Sequence, residues 1–130
     1  MKTKAIAFIL LAGCLFSGAR AAAPEDRLFE KAKMQIFDKE WAQALHSLDE
    51  LIARHAHGRH YAPALFYRGM CQEKLGYRKP ALESYGKFVA IAPASNLAEE
   101  ALVSSIDLAA ALYQAGEKDY LRNVQALLGH

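Results

Sequence analysis

Excess charge of either sign is what this sequence most plainly lacks. Its 130 residues carry 16 Lys and Arg against 14 Asp and Glu. Three of the cations, Lys2, Lys4 and Arg20, lie in an N-terminal stretch that reads as a removable leader, and taking them away leaves 13 basic residues against 14 acidic ones. That balance offers neither the basic patch or stripe that nucleic acid requires nor a membrane attachment driven by charge alone. Cysteine is equally scarce. Of the two present, Cys14 is either lipidated or cleaved away with the leader, so Cys71 stands alone and no intrachain disulfide is expected. Cys71 reads as a small apolar residue inside a helix. Catalytic signatures are missing too: there is no nucleophile elbow, phosphate-binding loop or zinc motif. Ser104, Ser105 and Asp107 share one helical stretch without a histidine near them, and Glu99 and Glu100 point to different sides of a helix. The chain reads as non-enzymatic, with no cofactor.

What the first residues do have is an export signal. Met1 to Lys4 is a short basic segment, and the apolar run that begins at Ala5 is too short to span a bilayer. Two processing patterns overlap. Leu11-Ala12-Gly13-Cys14 resembles the lipobox of bacterial lipoproteins, which would end the signal at residue 13 and lipidate Cys14. Ala19-Arg20-Ala21 is an A-x-A site, which would end it at residue 21 and start the mature chain at Ala22. Either way the expected location is periplasmic, soluble or lipid-anchored to the outer membrane, with one domain over residues 22–130 and no membrane contact beyond that anchor.

The body of that domain is organised around Ala64 to Pro93. Gly69, Gly76, Ala81, Tyr85 and Pro93 are spaced as in a helical hairpin. Gly69 lets two helices approach, facing Ala81, and Gly76 turns the chain. Tyr85, Phe88 and Val89 extend the apolar stripe of the second helix, and Pro93 closes it. The same pattern stands 37 residues earlier, where Lys31, Ala32, Gln35, Ala44, Leu45, Leu48, Leu51 and Ile52 lie over Arg68, Gly69, Gln72, Ala81, Leu82, Tyr85, Phe88 and Val89. A looser copy follows, with Ala101-Leu102 over Ala64-Leu65, and Leu121, Val124, Leu127 and Leu128 over the second-helix stripe. The expected fold is all-α: a solenoid of three helical hairpins, six helices, with repeats at about residues 25–57, 61–94 and 96–129. The first helix should start near Asp26, behind Pro24 and Glu25. Trp41 should open the second, Ala94-Ser95-Asn96 should cap the fifth, and Ala98, Ala101, Leu102, Ile106, Ala109, Leu112 and Tyr113 should form the fifth helix's apolar positions.

On these residues, with Ala32, Trp41, Ala44-Leu45, Leu48, Arg54, Gly58, Tyr61, Ala81, Phe88-Val89 and the Pro93-x-Ser95 turn, the chain resembles the periplasmic tetratricopeptide repeat proteins of the bacterial envelope. Among them are the outer-membrane assembly lipoprotein BamD and the repeat domain of the Tol-Pal coordinator. It departs from the general repeat pattern at Lys31 and Arg68, where Leu is usual, and at Gln35 and Gln72, where Tyr is usual. It also has three repeats where the assembly lipoprotein has about five. The resemblance implies a scaffold or adaptor that holds a protein or peptide partner, in outer-membrane assembly or envelope maintenance. The partner would lie along the first helices of the repeats, on Phe29, Lys33, Phe37, Phe66, Met70 and Lys74. Phe29, Phe37 and Phe66 also suit packing between repeats. Two other readings stay open: a metal-binding protein using His55, His57 and His60, and a structural subunit that forms a homo-oligomer through the C-terminal helix.

Overall fold

The computed structural model describes residues 22–116, 118, 122, 125 and 129, and within them the chain is helical, with no strand. Five helices follow one another: α1 (Pro24–Phe37), α2 (Trp41–Arg54), α3 (Tyr61–Lys74), α4 (Arg78–Ile91) and α5 (Ala98–Gln114). That is one fewer than the six expected. The sixth was placed on Tyr120, Leu121, Val124, Leu127 and Leu128, which lie outside the described residues, although Lys118, Arg122 and Gln125 are helical. Each helix packs on the one before it and the one after it in the chain. Short connections leave no other option, since the three-residue turns at 38–40 and 75–77 fold each helix straight back on its predecessor.

The first four helices have the same length, 14 residues, and the two turns inside the hairpins are built alike. The N–H of Glu40 donates to the carbonyl of Gln35, and that of Tyr77 to the carbonyl of Gln72, both at 2.8 Å, closing each first helix in the six-to-one manner of a Schellman motif. Such a turn needs one residue with positive φ. In the second hairpin it is Gly76 (φ 82°), but in the first it is Lys39 (φ 60°). A side chain there is held in the left-handed region at a cost of roughly 1 kcal/mol. Lys39→Gly is therefore expected to stabilise the protein by about 0.5–1 kcal/mol, read as a raised urea midpoint, while Gly76→Ala lowers it.

Two apolar clusters run through the stack. Phe29, Ala32, Ala44, Leu48, Leu51, Ala64 and Cys71 form one, between α1, α2 and α3. Leu65, Phe66, Ala81, Leu82, Tyr85, Phe88, Ala98, Ala101, Leu108 and Leu112 form the other, between α3, α4 and α5. Cys71 is fully buried, and burial pushes its thiol up to about 11, so at neutral pH it is a packing residue rather than a nucleophile. Close approach within the second hairpin is real, but Gly69's nearest neighbour is not Ala81. The ring of Tyr85 lies over it, and a Cβ at residue 69 would stand 2.9 Å from two ring carbons.

The start and face of α5 differ from expectation. Ser95 Oγ accepts from the N–H of Leu97 at 3.2 Å, one residue ahead of the helix, whose N-cap position is Leu97 with no side-chain cap. The buried positions are Ala98, Ala101, Ser105, Leu108 and Leu112, whereas Leu102, Ile106 and Tyr113 are 42%, 67% and 55% exposed. α5 carries two apolar stripes, and only one of them meets α4. Ser105 sits in the buried stripe because its hydroxyl donates back to the carbonyl of Ala101 at 2.7 Å, which satisfies it within its own helix.

Candidate functional site

The residues expected to line a partner surface divide into two groups. Phe29 and Phe66 are interior. Phe29 stacks on the His60 ring (centroids 4.3 Å) and lies 5.9 Å from Tyr67, and Phe66 is ringed by Tyr67, Tyr85 and Phe88 at 5.3–5.7 Å. Their exposures of 8% and 2% leave a ligand little to touch. Met70 is half-buried against the second cluster. Lys33 pairs with Glu30 at 2.7 Å and rests 5.1 Å from the Phe29 ring centroid. Phe37, by contrast, is 86% exposed at the C-terminal end of α1, and Met34, one turn before it, is 68% exposed. Lys74 occupies the equivalent place at the end of α3, with its ammonium 5.8 Å from the Trp41 ring centroid.

This end of the molecule has a consistent chemistry. α1, α3 and α5 all finish there, because consecutive helices fold back on each other. Beside Phe37 and Trp41 it presents Tyr77 and Tyr113, which are 53% and 55% exposed, and the Lys118 ammonium sits 5.2 Å from the Tyr113 ring centroid. Aromatic rings with cations over their faces offer large apolar area and a charge at little entropic cost. Sequence reasoning placed Phe37 and Lys74 in the surface but missed Tyr77 and Tyr113. Tyr77 follows Gly76 directly and Tyr113 stands three residues before Gly116, and that nearness to the glycine of the turn was the available signal.

The opposite end holds the histidine segment. His60 Nε2 lies 2.7 Å from Asp26 Oδ1, Arg59 donates to the same carboxylate oxygen, and the N–H of His60 donates to Glu25 Oε1 at 2.8 Å. The first turn of α1 thus clamps the connection between α2 and α3. Among the described residues no group of three or more His, Cys, Asp or Glu is placed to hold a metal, so His55, His57 and His60 are not brought together. Arg59 first, and His60 second, hold the Asp26 carboxyl below its usual value of 3.8. Because the folded value is the lower one, this stabilisation is complete above about pH 4 and is lost as pH falls through the depressed value. Asp26→Asn should therefore flatten the decline of the urea midpoint between pH 4 and pH 2 relative to wild type.

The polar residues that break the general repeat pattern have a job inside the hairpins. Ser47 Oγ donates to Gln35 Oε1 at 2.7 Å, and 37 residues on Ser84 Oγ donates to Gln72 Oε1 at 2.6 Å. Arg68 Nε donates to Ser84 Oγ at 2.9 Å, and its guanidinium lies 3.7 Å from Asp49 on the preceding hairpin. Nearby, Tyr85 donates its hydroxyl to Glu73 Oε2 at 3.0 Å, and burial pushes that hydroxyl far above its ordinary value, keeping it a neutral donor. Ser47 and Ser84 are nearly fully buried, yet among the described residues no buried side-chain N or O lacks a partner. These groups hold the hairpins together.

Among the described residues no helix is long and apolar enough to cross a membrane. Comparisons with family models, with curated proteins and with solved structures find no match.

Proposed function

We propose that the protein is an exported, non-catalytic scaffold of the tetratricopeptide kind, which holds a protein or peptide partner in the bacterial envelope. The observation that carries this reading is the exposed aromatic and methionine surface at the end of the first helices, with Phe37 86% and Met34 68% exposed beside Lys74, Tyr77 and Trp41. Aromatic, Met and cationic side chains are what protein interfaces concentrate. Hairpins recurring at 37 residues, with each described helix packed chiefly on its chain neighbours, support the solenoid. The second apolar stripe of α5 leaves Leu102 and Ile106 exposed, which adds apolar surface to the molecule. Phe29 and Phe66 drop out of the proposed surface and become inter-repeat packing.

The test is a crosslinked pull-down from the envelope with the wild-type chain and with Phe37→Glu combined with Lys74→Glu. The double variant should keep its helical circular dichroism and lose a partner that wild type retains. A partner retained by the double variant removes this surface from the proposal.

A further inference from the structure

A pocket of about 240 Å³ lies between the start of α1 and the end of α2, lined by Pro24, Arg27, Leu28, Lys31, Glu50, Arg54 and His55. It belongs neither to the aromatic end of the hairpins nor to the clamp on His60. The volume is below the ~300–1,000 Å³ usual for drug-sized ligands, so the occupant is small. Three cations face one carboxylate there, in a chain that is otherwise close to neutral. The acids of the α1 first turn do not offset them, because Glu25 is turned to the N–H of His60 and Asp26 to Arg59 and His60. Glu50 is already engaged by Arg54 at 2.9 Å. The ends of α1 and α2 meet here with opposite dipoles, so side chains decide the sign of the potential.

The repeat explains why Lys31 is available. Its counterpart 37 residues on, Arg68, reaches Ser84 and the Asp49 carboxylate of the hairpin before it. Lys31 instead lines the pocket.

We propose that this pocket binds a small phosphate monoester. Such an anion carries about −1.5 to −2 at neutral pH, which matches the surplus of two cations over acids, and its oxygens suit Arg and Lys donors. Pro24 and Leu28 supply an apolar wall for the carbon skeleton of the ester. The monoester is either a free metabolite or the headgroup of an anionic lipid. The second source rests on the lipobox alternative, in which Cys14 carries the lipid and Pro24 follows 10 residues later.

Two probes separate these sources: glycerol 3-phosphate in titration calorimetry, and sedimentation with phosphatidylcholine vesicles with and without phosphatidic acid. Binding of the soluble ester assigns a free ligand, and binding only to the phosphatidic acid vesicles assigns a lipid headgroup. In either case Lys31→Ala and Arg27→Ala, both at exposed positions, weaken binding at least tenfold at unchanged thermal stability, and Lys33→Ala leaves it unaltered. Binding to neither probe, or binding equally strong in all three variants, overturns the proposal. The partner pull-down reads the other end of the molecule, so either idea can fail without the other.

Discussion

Gly69→Ala is expected to destabilise the protein by about 2 kcal/mol, within the ~1–3 kcal/mol range for overpacking a filled core. At an exposed mid-helix site the same exchange would stabilise by up to ~1 kcal/mol, since Ala is the better helix former. The sign is reversed by the Tyr85 ring, which lies 2.9 Å from where the new Cβ would stand. The ring cannot give way. Phe66 flanks it at a centroid distance of 5.7 Å, and its hydroxyl is tied to Glu73. The first hairpin shows the other solution of the same packing problem, with Ala32 at the position of Gly69 and Leu48 at that of Tyr85, all four residues buried. Gly69→Ala with Tyr85→Leu should therefore recover more stability than the two single changes predict, with a coupling above ~0.5 kcal/mol. Urea unfolding of the four proteins of the cycle measures it. A neutral or stabilising Gly69→Ala means that the ring does not occupy that place.

Ser84→Ala carries the second large effect, also about 2 kcal/mol. It leaves both the Arg68 Nε donor and the Gln72 acceptor without their common partner, and an orphaned buried polar group costs ~1–3 kcal/mol. Ser47→Ala in the first hairpin orphans only Gln35, with no cation involved, and should cost about 1 kcal/mol. The order of the two effects, read from urea midpoints, is the diagnostic result. Equal losses, or a larger loss at Ser47, would mean that the guanidinium does not depend on the serine.

The hairpins were legible because their signals are local. Gly76 marks a turn that needs positive φ, and the 37-residue step from Ala44 to Ala81 marks positions where helices meet. Details that depend on which face meets which helix were not legible. In α5, Leu102, Ile106 and Tyr113 interleave with Ala98, Ala101, Leu108 and Leu112, so periodicity alone merged two stripes into one. Gly69 was paired with Ala81 because small residues are usually matched, whereas a flat ring fills such a gap equally well. Gln35 and Gln72 were noticed as departures, but their partners were not. Ser47 and Ser84 stand at the same 37-residue step, so the coincidence of two Gln and two Ser in register was the missed clue. Of the site, Phe37 and Lys74 were read as surface residues and are accessible, while Phe29 and Phe66 share the aromatic character of Phe37 and are buried. Residue type alone does not separate those roles.

The aromatic end of the first helices is proposed to hold a partner. The most direct test is a photo-crosslinking residue placed at Phe37, compared with one at Ala90, which is exposed on α4. In cells that make the protein natively, a discrete crosslinked adduct is expected from position 37 and none from position 90. No adduct from position 37, or the same adduct from both positions, would contradict it.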